Sequence, residues 1–443
     1  MTATTGAALL AATRFGFAAR PGELQTIARD PRDWVLQQLG HPPRPLAGDL
    51  PNSADMVART FEAQRDKREN GDKKEFAQVV RAVYLSEVQA RTAAAATSDA
   101  PLLERLTQFW GNHFTVSGFR PVVRGLAGTF EREAIRPNVT GRFADMLLAA
   151  ESHPAMLLYL DNALSIGPDS MAGQHQNKGL NENLGREILE LHTLGVDGGY
   201  TQADVEALAG ILTGWSVSRL NAPDPGHFRF YDRAHEPGPK TLLGRRYAED
   251  GRNEGVTALR DLAQHPATAH HVAVKLARHF IADQPPQDAV ERVARVFRDS
   301  GGDLARVTAA VVHEDAAWRT PFAKMRTPGD LVIAAIRTTG FTPQPMMIAN
   351  SLRILDQQPF FAPQPTGWPD DAASWVSPEA VLRRAQWCET YADRMPEPPD
   401  PLGLAAATLG DAVPAETLTA IRTAPSRRDG LALLLASPEF QRR

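Results

Sequence analysis

This sequence predicts a mainly α-helical, multi-helix globular body with one small β-hairpin, on three observations. Apolar residues recur at three- and four-residue spacing through most of the chain. Pro, Gly and short polar residues bracket those runs as helix starts and stops. One stretch only, His227 to Tyr247, alternates as strands do, around a Pro-Gly-Pro turn.

The first helical run, LQTIARDPRDWVLQQLG, follows Pro21-Gly22-Glu23 and closes on Gly40. His41 to Pro51 is Pro-rich and reads as a rigid loop. Ser53 to Ala96, rich in Ala, Glu, Lys, Arg and Val, reads as one or two helices. Asp99-Ala100-Pro101 starts another, because Pro suits the first helical position. Further helices follow over Gly141 to Ser152 and after His153-Pro154. Ser165 to Lys178 has no apolar period and reads as a long polar loop, a length often tied to function. Helix NENLGREILELHTLG stops at Gly195, and Thr201 with Asp204 opens the next through a near capping box. After the hairpin, helices resume at His265-Pro266. Residues 1–394 are expected to form the main helical domain, with a Pro-rich linker and helical extension over 395–443.

Composition narrows the function classes. The chain has 443 residues, 43% hydrophobic and 23% charged, with a net charge of -4, which is no footprint for nucleic-acid binding. A single cysteine, Cys388, rules out an internal disulfide and any multi-cysteine metal site. No apolar run is long enough for a membrane span. In the N-terminal stretch MTATTGAALLAATRFGF the first basic residue, Arg14, follows the apolar residues, so no secretory signal is expected and a cytoplasmic location is. Nucleotide-binding glycine loops, HExxH and GxSxG motifs are absent.

Candidate site residues come from four segments. In FWGNHF, His113 could be a general base or metal ligand beside Asn112; a buried histidine bonded to a carbonyl is the plainer alternative. In HPAMLLYLDN, capping and turn chemistry account for His153, Asp161 and Asn162, although an acid at a helix C-terminus is electrostatically unfavourable. On the helix from Asn181, Asn183, Glu187 and Glu190 share a stripe that could face a metal or arginines, with Arg132, Arg136 and Arg142 as candidate partners. His192 falls on the opposite flank, so Glu190 and His192 cannot serve one ion. His271, Lys275 and His279 form a basic stripe, read as solvated, with anion binding as the alternative. His235 and Lys240 flank the hairpin turn, where polar residues usually meet water.

The segments FWGNHFTVS, HPAMLLYLDN, the block from Gly179 to Trp215, HEPGPKTLLG and HPATAHHVAVKLARHF together resemble the bacterial family known as domain of unknown function 1800, over nearly the whole chain. The resemblance assigns no reaction. It implies a possible partner, because such genes often neighbour those of domain of unknown function 1501, whose members look like sulfatase- or phosphatase-fold proteins. Two functions are therefore expected as alternatives. One is an enzyme, with His113, His153 and Asp161 as its working residues and Glu187, Glu190 and His113 as the candidate ligands of a divalent metal. The other is a binding or maturation partner, exported with a signal-bearing protein.

Overall fold

The computed structural model describes residues 3–70, 74–176 and 179–443. Among these it has 24 α-helices and two sheets of two antiparallel strands each. The mainly α class follows from the helical periodicity. None of the described helices is long and apolar enough to cross a membrane. Ser53 to Ala96 divides into helices Ser53–Asn70 and Lys74–Thr97.

Local signals start the helices where the sequence places them. Pro101 opens Pro101–His113. His153 and His265 each precede a Pro and accept, through Nδ1, the second backbone N–H of their helices at 3.1 and 3.2 Å. Thr201 and Asp204 form the full reciprocal capping box. The expected polar loop contains a short helix, Met171–Gln176, started by the Ser170 hydroxyl accepting from Gly173 N at 3.0 Å. Asn177 and Lys178, at the end of that loop, lie outside the described residues.

The β region departs from the expected single hairpin. β1 (Trp215–Val217) pairs with β2 (Phe228–Phe230), and β3 (Lys240–Leu242) pairs with β4 (Arg245–Tyr247). The Pro237-Gly238-Pro239 segment links the two sheets instead of closing one, because prolines supply no N–H to a ladder. The tight turn is Leu243-Gly244, with φ of 50° and 75°, the left-handed pair that matches strand twist.

Two apolar cores result. The first runs from Ala8 to Ala317 and includes the wholly buried Trp110 and Trp215. The second joins Leu331, Leu352, Trp387, Leu434 and Phe440 to Leu9, Phe17, Val88 and Ala95 from early in the chain. The helices after the Pro-rich Met395 to Gly403 stretch share this second core with helix Pro378–Asp393. Cys388 is buried there, and desolvation pushes its thiol up to about 12, so it is inert.

Buried ion pairs tie the early helices together. Arg136 makes a two-pronged bond to Glu104 at 2.8 and 2.6 Å, with both side chains buried. Arg132 pairs with Glu87, and Arg91 with Glu131. Replacing Glu104 with Gln leaves the Arg136 charge uncompensated, so stability should fall by roughly 3–5 kcal/mol. The double variant Glu104→Met with Arg136→Met should recover much of that loss. Chemical denaturation of the three variants checks this; a wild-type-like Glu104→Gln would show that the pair does not need its charge.

Candidate functional site

Helices Pro101–His113 and Pro266–Phe280 form two walls of a cavity of about 810 Å³. On the first helix Arg105, Gln108 and Asn112 recur at three and four residues, so one face carries all three. On the second, His271, Lys275 and His279 do the same at intervals of four. The stripe read as solvated therefore lines an internal wall. A third wall is the irregular segment after helix Pro345–Ile354, which brings in Trp368, Pro369 and Asp370.

Asn112 fastens that segment. Its Nδ2 donates to Trp368 O at 2.9 Å and its Oδ1 accepts from Trp368 N at 2.7 Å. The preceding Gly367 has φ of +81°, and a Cβ there would lie 2.5 Å from Asn112 O. Only glycine fits this approach.

Asp370 then becomes the hub of a charge network. It accepts from His279 Nδ1 at 2.5 Å, and the 370 carbonyl accepts from Lys324 Nζ at 3.0 Å. Lys324 also bonds Asp283 at 2.5 Å. Asp330 lies 3.2 Å from both Arg105 Nη1 and Arg443 Nε. Burial alone would raise the Asp370 carboxyl, but His279, Lys324 and Arg443 hold it well below the usual carboxylate range. Desolvation, reinforced by Arg443 and Arg105 and opposed by Asp370, takes His279 down to about 4. His279 is thus neutral near pH 7, with its proton on Nδ1 facing Asp370.

Lys275 stands apart from this pairing. Its ammonium makes no hydrogen bond or ion pair among the described residues, yet it lines the cavity. Desolvation, with a smaller contribution from Arg278 and against the pull of Asp370, lowers it to about 8. Neighbouring His271 is lowered to about 4 by burial and by Lys275. Its Nε2 donates to Leu191 O at 3.0 Å, and His113 Nε2 donates to His192 O at 3.1 Å. His113 Nδ1 is left buried without a partner, and burial, then Lys275, drive this imidazole well below its ordinary range.

The other residues singled out from sequence lie elsewhere. His113 and Asn112 line the cavity; His153, Asp161, Glu187 and Glu190 are not in its wall. His153 caps its helix and faces Glu133 at 3.1 Å. Asp161, at φ 59°, is gripped by both terminal nitrogens of Arg120 at 2.8 and 2.9 Å. Asn162 is buried and donates to Leu212 O and Trp215 O. His192 is buried 2.8 Å from Glu151. His235 and Lys240, expected to meet water, are packed against Glu254 at 3.0 and 3.1 Å, because the β region folds back on helix Arg252–Gln264. Among the described residues no group of three or more His, Cys, Asp or Glu is placed to hold a metal ion, so Glu187, Glu190 and His113 do not converge.

The acidic stripe also lacks its expected partners. Arg132 and Arg136 are occupied by Glu87 and Glu104, and Arg142 donates to Ser300 O. Asn183 is exposed, Glu190 accepts only a 3.4 Å bond from Tyr200, and Glu187 is half-buried. A one-turn π-helix, Ile188–His192, breaks the even helical wheel just after Glu187. Asp370 was not singled out from sequence. Its signal was the Pro- and Gly-punctuated run FAPQPTGWPDD between two helices.

Fold and cavity define a class: a helical protein with a charged inter-helix pocket walled on one side by an irregular segment. The chain belongs to the family described as protein of unknown function (DUF1800), which matches residues 10–442. No curated protein and no solved structure matches it.

The Glu187 carboxyl is raised chiefly by desolvation, with Glu190 and Glu151 adding to it and His192 opposing. A raised acid binds more protons folded than unfolded, so its ionised form lowers stability above that window and the penalty disappears as pH falls. Glu187→Gln should therefore melt at or above wild type at pH 7 and lose that advantage by about pH 4. Glu190→Gln should stay within about 0.5 kcal/mol. Melts across pH test both; a drop of several kcal/mol for Glu187→Gln would reveal a partner that the geometry lacks.

Proposed function

We propose that this protein is an enzyme acting on a small polar molecule in the inter-helix cavity, with the Lys275 amine as its proton-transferring group. The observation that carries this reading is the Lys275 ammonium, without a hydrogen bond or ion pair among the described residues, on the wall of a cavity where Arg105 and His279 are paired with Asp330 and Asp370. A base works best when its pKa lies near the working pH, and a lysine poised at about 8 meets that condition where a surface lysine would not. His271 and His279 stay neutral and polar on either side. The segment carrying Trp368, fastened by Asn112, supplies a fixed third wall. In use, the neutral amine would take a proton from a substrate atom held against it, and the ammonium would return one.

A depressed lysine lowers stability. The unfolded chain binds more protons between about pH 8 and the ordinary lysine value, so stability rises with pH across that window. Lys275→Met should therefore be more stable than wild type at pH 7, by roughly 1–2 kcal/mol after allowing for partial solvation, with the gain shrinking towards pH 10.5. In parallel, amine-selective labelling followed by peptide mass spectrometry should give Lys275 an apparent pKa near 8. A Lys275 that labels like a surface lysine, in a variant no more stable than wild type, would sink the proposal.

A second reading, a binding partner for a co-encoded domain of unknown function 1501 protein, is favoured by one feature. Leu164 and Met171 are 65% and 61% exposed at the edges of a loop pinned to the β region, where Gly167 N bonds Ala234 O and Asp169 N bonds Glu236. Leu164→Ser with Met171→Ser should weaken association with that protein at least tenfold in a direct titration. Association unaffected by both changes would remove this surface from consideration.

A further inference from the structure

The Lys275 amine differs from the other unpartnered polar groups of the cavity helices in being reachable. Lys275 is half-buried on the wall, and its Nζ, with no hydrogen bond among the described residues, keeps accessible surface. Arg105 Nη2, Gln108 Nε2 and His113 Nδ1 keep almost none. It also differs from the chain's other largely buried lysines. Lys240 bonds the Glu254 carboxylate and the Glu236 carbonyl, and Lys324 bonds Asp283 and the Asp370 carbonyl. Their protons are held in place, and an ammonium so held has no lone pair to offer. Lys275 has no such partner.

An amine that can lose its proton is a nucleophile as well as a base. Among the described residues the wall contains no Ser, Cys or Tyr, and its hydroxyls belong to Thr92, Thr115, Thr327 and Thr366. Thr115 Oγ1 donates to Asn112 O, and Thr327 Oγ1 accepts from Asp330 N to start its helix. None of the four is hydrogen-bonded to a histidine or carboxylate side chain that could activate it, which leaves Lys275 as the wall's strongest nucleophile. The cavity, at about 810 Å³, has the size of a small-molecule site. Asp370 is the acid whose field acts on Lys275, and His279, Lys324 and Arg443 keep it ionised. A positive charge retained on a substituted Lys275 nitrogen would therefore still be compensated.

We infer that Lys275 takes the carbonyl group of an aldehyde or ketone substrate as a covalent imine. This rests on reading the cavity as a small-molecule site worked by Lys275, and adds the chemical class of what enters. The neutral Nζ adds its lone pair to the carbonyl carbon while the C=O π pair passes to oxygen, which takes a proton given up by the nitrogen. The second amine hydrogen leaves with that hydroxyl as water, and an N=C double bond replaces C=O. The step needs neither oxidant nor reductant, and water reverses it.

The test uses the full chain at pH 7, with glycolaldehyde and dihydroxyacetone as probes and glycerol as the control without a carbonyl. Cyanoborohydride reduces any imine to a stable secondary amine, and peptide mass spectrometry shows which lysines carry it. At least one carbonyl probe should modify Lys275 tenfold or more faster than the chain's other lysines, because more of its amine is neutral at this pH. Glycerol should leave it unmodified. The preference should vanish in urea, where the cavity is gone, and the fast adduct should be missing from a cooperatively melting Lys275→Arg variant. Modification of Lys275 no faster than that of the other lysines with both probes, or a preference that persists in urea, overturns the inference. A Lys275 that gives no adduct but still titrates at about 8 would leave the proton-transfer reading standing and remove only the imine; one that titrates like a surface lysine would remove both.

Discussion

Two aspartates, buried Asp330 and half-buried Asp370, hold the cavity region of this molecule in one arrangement. Between them they engage Arg105, His279, Lys324 and Arg443, four residues from four separate parts of the chain. Such a network is weak evidence for stability, because desolvating each ion offsets most of the Coulomb gain. What it supplies is register. Arg105 cannot reach Asp330, nor His279 reach Asp370, unless the two wall helices face each other at one rotation. The backbone reinforces the same seam: Lys324 and Arg443 exchange N–H···O bonds in both directions, and Arg326 N bonds Gln441 O. The last residues of the chain are thereby laid against the segment that enters helix Pro328–Thr339.

A region specified this way can tolerate local disadvantages. The irregular wall follows two non-glycine residues at positive φ, Asp356 at 62° and Phe360 at 62°, each costing roughly 1–3 kcal/mol. Lys275 sits where burial disfavours its charge, and orphan donors remain on helix Pro101–His113 at Arg105, Gln108 and Trp110. Three of the buried polar atoms without a partner among the described residues are on Arg105, Gln108 and His113 of the cavity wall, which also includes Phe360.

What was legible in the sequence was what is decided locally. His153 and Thr201 start helices through bonds made within three residues, and Pro101 through its fixed φ at the first helical position, so each could be read from its neighbours. The β pairing could not, because the partner of Phe228–Phe230 is Trp215–Val217, across a connection with no strand pattern of its own. The stripe His271, Lys275, His279 was visible as a stripe, but period alone does not say whether a polar face meets water or a cavity. That is decided by Asp370, ninety-one residues after His279 in the chain. Asn112 drew notice for standing beside a histidine, yet its part is to clamp Trp368. His153 and Asp161, which share a segment, are drawn to Glu133 and Arg120 instead of to the cavity.

The π-turn at Ile188–His192 links that distant folding to the electrostatics of the pocket. Widening the helix by one residue per turn leaves its last carbonyls pointing outward, and in a buried setting they need donors. Two of them, at Leu191 and His192, take theirs from His271 and His113. Each imidazole must then keep its proton on Nε2, so in the neutral state its Nδ1 is a lone pair and not a donor. A second proton would place charge beside Lys275 in a poorly solvated wall, and both rings are held far below their ordinary pKa for that reason. The two histidines are kept neutral by burial and by Lys275, against the carbonyl bonds of the π-turn, which favour the charged form and fix only the tautomer. The positive charge on this helix face is therefore carried by Lys275 and Arg278, and the geometry of one helix end decides which nitrogen of each neighbouring imidazole is the lone pair.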